Sequence, residues 1–245
     1  MLIHMRVPLI AAAAAFAFAL LLPGTASAQN PPKSINLQFI AFPKHLEIEP
    51  LELLVGKETL EIATPGHEFS PPYKVPPLPN IVIGKTVQDK DGKPKFDIYG
   101  RAKGIAARDQ IILLIRKGQK PEDGFVVMPM DARKAQFPGG SFLFINAATK
   151  KVGCELGDKK FALEPGKQTL VKPKADHDGP VCQATFYFEK VDGALKKFFD
   201  TRWSNDPAFR TMVFFYDSKG KVGIQPIMEM LPFDGPIGPP PGGNP

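Results

Sequence analysis

Three stretches of this chain carry residue types at spacings that can do chemistry. Asp176-His177-Asp178 stand together in a Gly/Pro loop close to Cys182, and carboxylates beside an imidazole are the start of a metal site. Two neighbouring ligands do not close a coordination sphere, however, and the same Asp side chains also satisfy backbone N–H groups in a polar turn. Asp89-Lys90-Asp91-Gly92 places alternate carboxylates before a Gly, as the opening of a calcium loop does. The remaining ligands of that loop are missing, and a hairpin turn at Asp91-Gly92 accounts for the same residues. The third stretch runs from Lys196 to Tyr216, where Lys196, Lys197, Arg202 and Arg210 interleave with Phe198, Phe199 and Trp203. Cations beside aromatic rings suit anionic sugars through ion pairing and ring stacking. The competing reading is a connecting segment packed on a core with Trp203 as its cap.

Covalent and hydrolytic chemistry has no comparable signal. The chain holds no G-x-S-x-G, H-E-x-x-H or C-x-x-C segment, so no catalytic residue is assigned. It has two cysteines, Cys154 and Cys182. In an oxidising compartment an even pair predicts a disulfide, the alternative being two small buried hydrophobes.

That compartment follows from the N-terminus. Arg6, an apolar run from Val7 to Leu22 and the small residues Ala26-Ser27-Ala28 have the order of a cleavable secretory signal over residues 1–28, with cleavage before Gln29. The apolar run is short and Ala-rich, and no Cys stands at the cleavage point, so no membrane anchor is expected. The protein is therefore expected to be periplasmic or secreted. Of the 245 residues, 217 remain after cleavage, and the net charge of +6 falls to +5 with the loss of Arg6. That is enough chain for one large all-β domain or two small sandwiches with a buried core, and too little charge to imply nucleic acid.

Short β-branched and aromatic runs must position these residues. They lie at Ile35–Phe42, Ile81–Ile83, Phe96–Tyr99, Gln110–Ile115, Phe125–Met128, Ser141–Ile145, Val181–Phe188, Thr211–Tyr216 and Val222–Ile227, at the spacing of an all-β sandwich. Asp91-Gly92, Gly139-Gly140, Gly157-Asp158, Pro165-Gly166 and Gly179-Pro180 fall between the runs, as hairpin and loop residues should. A Leu46–Glu49 strand would put Glu47 and Glu49 on one face. Short helices are expected only at Asp131–Gln136 and Gly193–Thr201. Residues 44–70 are acidic and 150–174 basic, which gives either solvated faces or complementary patches for head-to-tail self-association or for an acidic partner.

Phe144-Ile145-Asn146-Ala147, Gly157, Leu163-Glu164-Pro165-Gly166 and Leu170-Val171-Lys172, with the later Arg202-Trp203-Ser204-Asn205-Asp206-Pro207 and Arg210 to Tyr216, resemble segments of an uncharacterised family of exported bacterial Ig-like β-sandwich proteins. The resemblance implies a fold and a compartment and no activity. The expected organisation is a linker at 29–33, an immunoglobulin-like sandwich over 34–190, a loop and C-terminal hairpin over 191–232, and a disordered Pro/Gly-rich tail over 233–245. Such a tail has the composition of a polyproline recognition peptide as well. The function expected is that of a non-enzymatic exported accessory or binding module for an envelope protein or polysaccharide, without cofactor. The alternatives are a self-assembling structural envelope protein and a metal-binding protein or enzyme centred on Asp176-His177-Asp178.

Overall fold

The computed structural model describes residues 32–43, 50–118, 120–174, 179–190, 193–218 and 220–231. The expected signal segment, the Leu46–Glu49 strand, the Asp176-His177-Asp178 loop and the 233–245 tail lie outside them. Alternating and β-branched runs become strands, and among the described residues the only helical element is a 3-10 turn at Pro121–Asp123. The first eight strands are β1 (Ile35–Phe42), β2 (Leu51–Val55), β3 (Glu58–Ile62), β4 (Tyr73–Val75), β5 (Asn80–Gln88), β6 (Pro94–Lys103), β7 (Asp109–Arg116) and β8 (Phe125–Asp131). They form two sheets of order β4-β1-β7-β8 and β3-β2-β5-β6. Leu37 and Phe39 of β1, Leu53 of β2, Ile83 of β5 and Ile112 of β7 interdigitate between them with no exposed surface.

A second set follows: β9 (Phe142–Asn146), β10 (Val152–Leu156), β11 (Lys159–Leu163), β12 (Gln168–Val171), β13 (Val181–Glu189), β14 (Leu195–Ser204), β15 (Phe209–Ser218) and β16 (Lys221–Met230). Its sheets have the orders β12-β9-β15-β16 and β11-β10-β13-β14. Phe144, Phe186 and Phe215 meet between them, Phe144 stacking on Phe215 at 6.0 Å.

The two orders are the same order. Each of β9 to β16 occupies the place of β1 to β8, down to the parallel pairing of first and seventh strands, β1 with β7 and β9 with β15. A bulge interrupts the ladder at Ile83/Gly84 in the first set and at Phe186/Tyr187 in the second. The chain is thus two copies of one eight-stranded sandwich, rather than a single sandwich over 34–190. Residues 191–232 do end in the expected hairpin, β15–β16, but β15 is an inner strand of its sheet, and the expected helix at Gly193–Thr201 is β14. Local propensity is overridden there because β13 offers a ladder along all of β14.

The sandwiches pack back to back. Ile40, Phe42, Ile111 and Leu113 on the outer face of the β4-β1-β7-β8 sheet meet Ile145, Met212, Phe214 and Ile227 on that of the β12-β9-β15-β16 sheet, with Phe42 stacked on Phe214 at 4.8 Å. This third apolar layer explains why β7 and β15 read as unbroken apolar runs: both faces are covered.

Candidate functional site

Strand β14 carries four of the five residues singled out for binding, and the structure sorts them by face. Its inward side chains oppose those of β13: Trp203 stands opposite Cys182, Thr201 opposite Ala184 and Phe199 opposite Phe186. The bulge at Phe198 turns that ring inward as well, against Phe186 and Phe188. Trp203 is half-buried, stacked on Phe142 at 5.5 Å and packed on Phe186 at 5.1 Å. Packing is therefore the larger part of its role.

Lys196, Lys197 and Arg202 are exposed along β14, which has no neighbour on its far side within the sheet. Lys197 pairs with Asp200 at 2.8 Å, and Gln183 donates to the same carboxylate. The hydrogen bond to Asp200 raises the Lys197 ammonium above its ordinary value, and that bond is also the main reason the Asp200 carboxyl is held below its own.

Arg210 lies elsewhere. It is 4% exposed and points to the opposite side of its sheet from Trp203, into the seam between the sandwiches. There Nε donates to Glu229 at 2.5 Å, and Nη1 donates to the carbonyls of Ala132 and Phe137 at 2.5 and 3.2 Å. The guanidinium also sits 4.8 Å from the Phe137 ring. These bonds clasp the segment joining β8 to β9, so Arg210 has a structural task and is separate from the basic edge.

The expected disulfide is absent: Cys154 and Cys182 are both buried and unbridged. Cys154 stands opposite Phe186, whereas Cys182 is four residues further along the same strand, a displacement of about 13 Å at strand rise. A bridge needs Cα atoms within about 7 Å. Burial pushes the Cys154 thiol far above its ordinary value, which keeps it protonated and inert.

Among the described residues no group of three or more His, Cys, Asp or Glu is arranged to hold a metal. Asp89 spends its carboxylate on its own turn, accepting from the N–H groups of Asp91 and Lys93 at 2.9 and 2.8 Å, with Gly92 at φ 73°. That is the hairpin reading of Asp89-Lys90-Asp91-Gly92.

Two of the recesses among the described residues involve the residues singled out above. A cleft of about 410 Å³ opens at the seam between the sandwiches, lined by Asn36, Asp109, Arg133, Arg210 and Glu229 among others. Its polar groups serve each other, Asn36 donating to Asp109 at 2.6 Å and Arg210 to Glu229. A smaller apolar groove of about 250 Å³ lies between the edges of the second sandwich, floored by Phe142 and Thr211 and walled by Trp203 and Ser204 on β14 and by Pro226 and Met228 on β16. Beside it Met228 and Met230 are 52% and 72% exposed. Sequence reasoning found Trp203 and missed Pro226, Met228 and Met230. Their signal was present as an alternating apolar trio on a strand that also carries Lys221 and Glu229.

No family model matches the chain, and no curated protein matches it. A solved structure, that of a "putative cell adhesion protein" from Bacteroides uniformis, aligns over 80% of this chain and 96% of its own at 10% identity, with a TM-score of 0.21. A superposition that loose carries no inference about function, and the all-β double sandwich stands on its own strand pairing.

Proposed function

We propose that the protein is a non-enzymatic exported binding module that receives an acidic, extended segment of an envelope protein along the edge of β14. The observation that carries this reading is the state of that edge. Sheet edges attract strands from other chains, and proteins blunt them with proline, with brevity or with charge. Here β4 and β12 are three and four residues long, and β8 and β16 contain Pro129 and Pro226. The ten-residue β14 contains no proline. It is guarded by charge instead, with Lys196, Lys197 and Arg202 against Asp200, while Leu195 and Phe199 stay 60% and 37% exposed.

A guard of net positive charge is selective. Two β14 edges repel each other, whereas an acidic strand gains ladder hydrogen bonds, apolar contact at Leu195 and Phe199, and ion pairs together. A polyanionic glycan would use the cations without the ladder.

Charge reversal tests this. In a crosslinked pull-down from the native envelope fraction, the mature chain is expected to retain a protein partner at low salt and lose it at high salt. The Lys196→Glu, Lys197→Glu, Arg202→Glu variant should lose it at both. Retention indifferent to the reversal would remove β14 as the site, and recovery of this chain alone would favour a self-assembling structural protein.

A further inference from the structure

The two sandwiches differ along the edges where their sheets face each other. In the first sandwich β6 and β8 come close together at Gly100. Gly100 lies so near β8 that a Cβ on it would fall 2.7 Å from Val127 Cγ2 and 3.0 Å from the Phe125 carbonyl oxygen. Counting from the shared bulge, the residue of β14 that matches Gly100 is Phe199: Gly100 pairs with Ile83 and Phe199 with Phe186, each on the same side of its bulge. Where the first sandwich has this close-approaching glycine, the second has Phe199, 37% exposed, with its ring against Phe186. Further along β14, the second sandwich carries an open apolar channel over Phe142, Trp203, Pro226 and Met228.

The groove also limits what fills it. Pro226 stands opposite Val213 in a ladder without irregularity. Because proline has no N–H to give β15, this is a non-hydrogen-bonded pair, and the missing donor faces the free edge of β16. A strand cannot be added continuously there. A polyproline segment can dock, since it needs no ladder and buries its rings on aromatic and apolar walls.

We propose that the groove is a docking site for a proline-rich extended segment, and that its occupant is the chain's own residues 232–245. Three observations select this segment. It contains Pro236, Ile237, Pro239, Pro240 and Pro241. It follows directly on Leu231, at the end of the strand whose Pro226 and Met228 wall the groove. It is also long enough: Pro226 to Met230 spans about 13 Å of strand, which about five polyproline residues cover at roughly 3.1 Å each. Between Leu231 and the proline run, Asp234-Gly235-Pro236 has the composition of a turn. Tethering keeps the local concentration high, so weak contacts suffice. This inference is independent of the partner proposed for the outer edge of β14.

Trp203 is the single tryptophan and a wall of the groove, so it reports occupancy. Acrylamide quenching of the mature chain is compared with a chain ending at Leu231 and with full-length Ile237→Asp. Both variants are expected to show severalfold greater quenching at an unchanged far-ultraviolet spectrum, and a synthetic 232–245 peptide at millimolar concentration should restore protection to the shortened chain. Equal quenching in all three chains, with no protection by the peptide, would overturn the proposal. Protection of the mature chain that fades on dilution would overturn it too, by assigning the groove to a second copy. The Lys196→Glu, Lys197→Glu, Arg202→Glu variant should keep Trp203 protected, which separates a failure here from a failure at the β14 edge.

Discussion

Arg210 shows how far a side chain's position along the chain can mislead about its position in space. Sequence spacing grouped it with Lys196, Lys197 and Arg202, yet strand alternation sends it into the seam, where Glu229 and two carbonyls take up its guanidinium. Removing one member of such a pair leaves the other charge buried and unmatched. Arg210→Met is therefore expected to lower stability by about 3–5 kcal/mol. The double variant with Glu229→Met should recover much of that loss, since two apolar groups leave no orphaned charge. Urea unfolding of the four proteins of this cycle measures it, and a single-variant loss below about 1 kcal/mol would show the pair to be solvated, as surface pairs are. The head of the unbroken apolar run Thr211–Phe215 was the readable clue, because an Arg that opens a strand buried on both faces is seldom free. The cysteines were misread for a related reason: their even number and compartment argued for a bridge, but the strand register that keeps them apart is set by β10–β13 pairing, which no local pattern reveals.

At the scale of elements, strands with continuous β-branched or aromatic runs were legible, including β1, β7, β13 and β15. Those diluted by Glu or Lys were not. The β2–β3 hairpin reads Leu51–Val55 and Glu58–Ile62, and its signal lies in Gly56, at φ 66°, more than in its alternation. β14 reads locally as a short helix because Lys and Phe crowd its first half, and the bulge at Phe198 breaks the period that identifies a strand. Bulges also place firm demands on glycine. At Gly84, opposite the bulge at Tyr99 of β6, a Cβ would lie 2.0 Å from the Asp97 carbonyl oxygen, a backbone atom that cannot swing aside. Gly84→Ala is expected to cost about 1–3 kcal/mol, the usual penalty of forced overpacking. Gly92→Ala is the useful contrast, because nothing lies within 4 Å of its Cβ position and only its positive φ of 73° is strained. A thermal midpoint that falls no further for Gly84→Ala than for Gly92→Ala would mean that the β5–β6 ladder yields at the bulge.

The whole molecule is a duplication that the sequence carries in its turns rather than its strands. Gly56 and Gly157, Pro65-Gly66 and Pro165-Gly166, and Asp91-Gly92 and Asp192-Gly193 recur at a period of about 100 residues. The intervening strands have drifted to different side chains, because packing demands only apolar volume on the right face. What the repeat cannot announce is the contact between the copies. Each presents an outer sheet face that would be polar in an isolated sandwich, yet Ile40, Phe42, Ile111 and Leu113 on one and Ile145, Met212, Phe214 and Ile227 on the other are all buried against each other. At roughly 1.5–3 kcal/mol for each large apolar side chain buried, that seam contributes on the order of 10 kcal/mol before entropy is set against it, enough to couple the two cores. The mature chain should therefore unfold in urea in one transition, with Trp203 fluorescence in the second sandwich and circular dichroism of both coinciding. Residues 29–136 and 138–245 expressed separately should each be less stable and should self-associate through the uncovered faces. Two transitions in the intact chain, at the midpoints of the separate pieces, would mean that the sandwiches are independent and the seam a mere contact; one shared transition makes the seam the element that holds the β14 edge and its groove in a fixed position relative to the first sandwich.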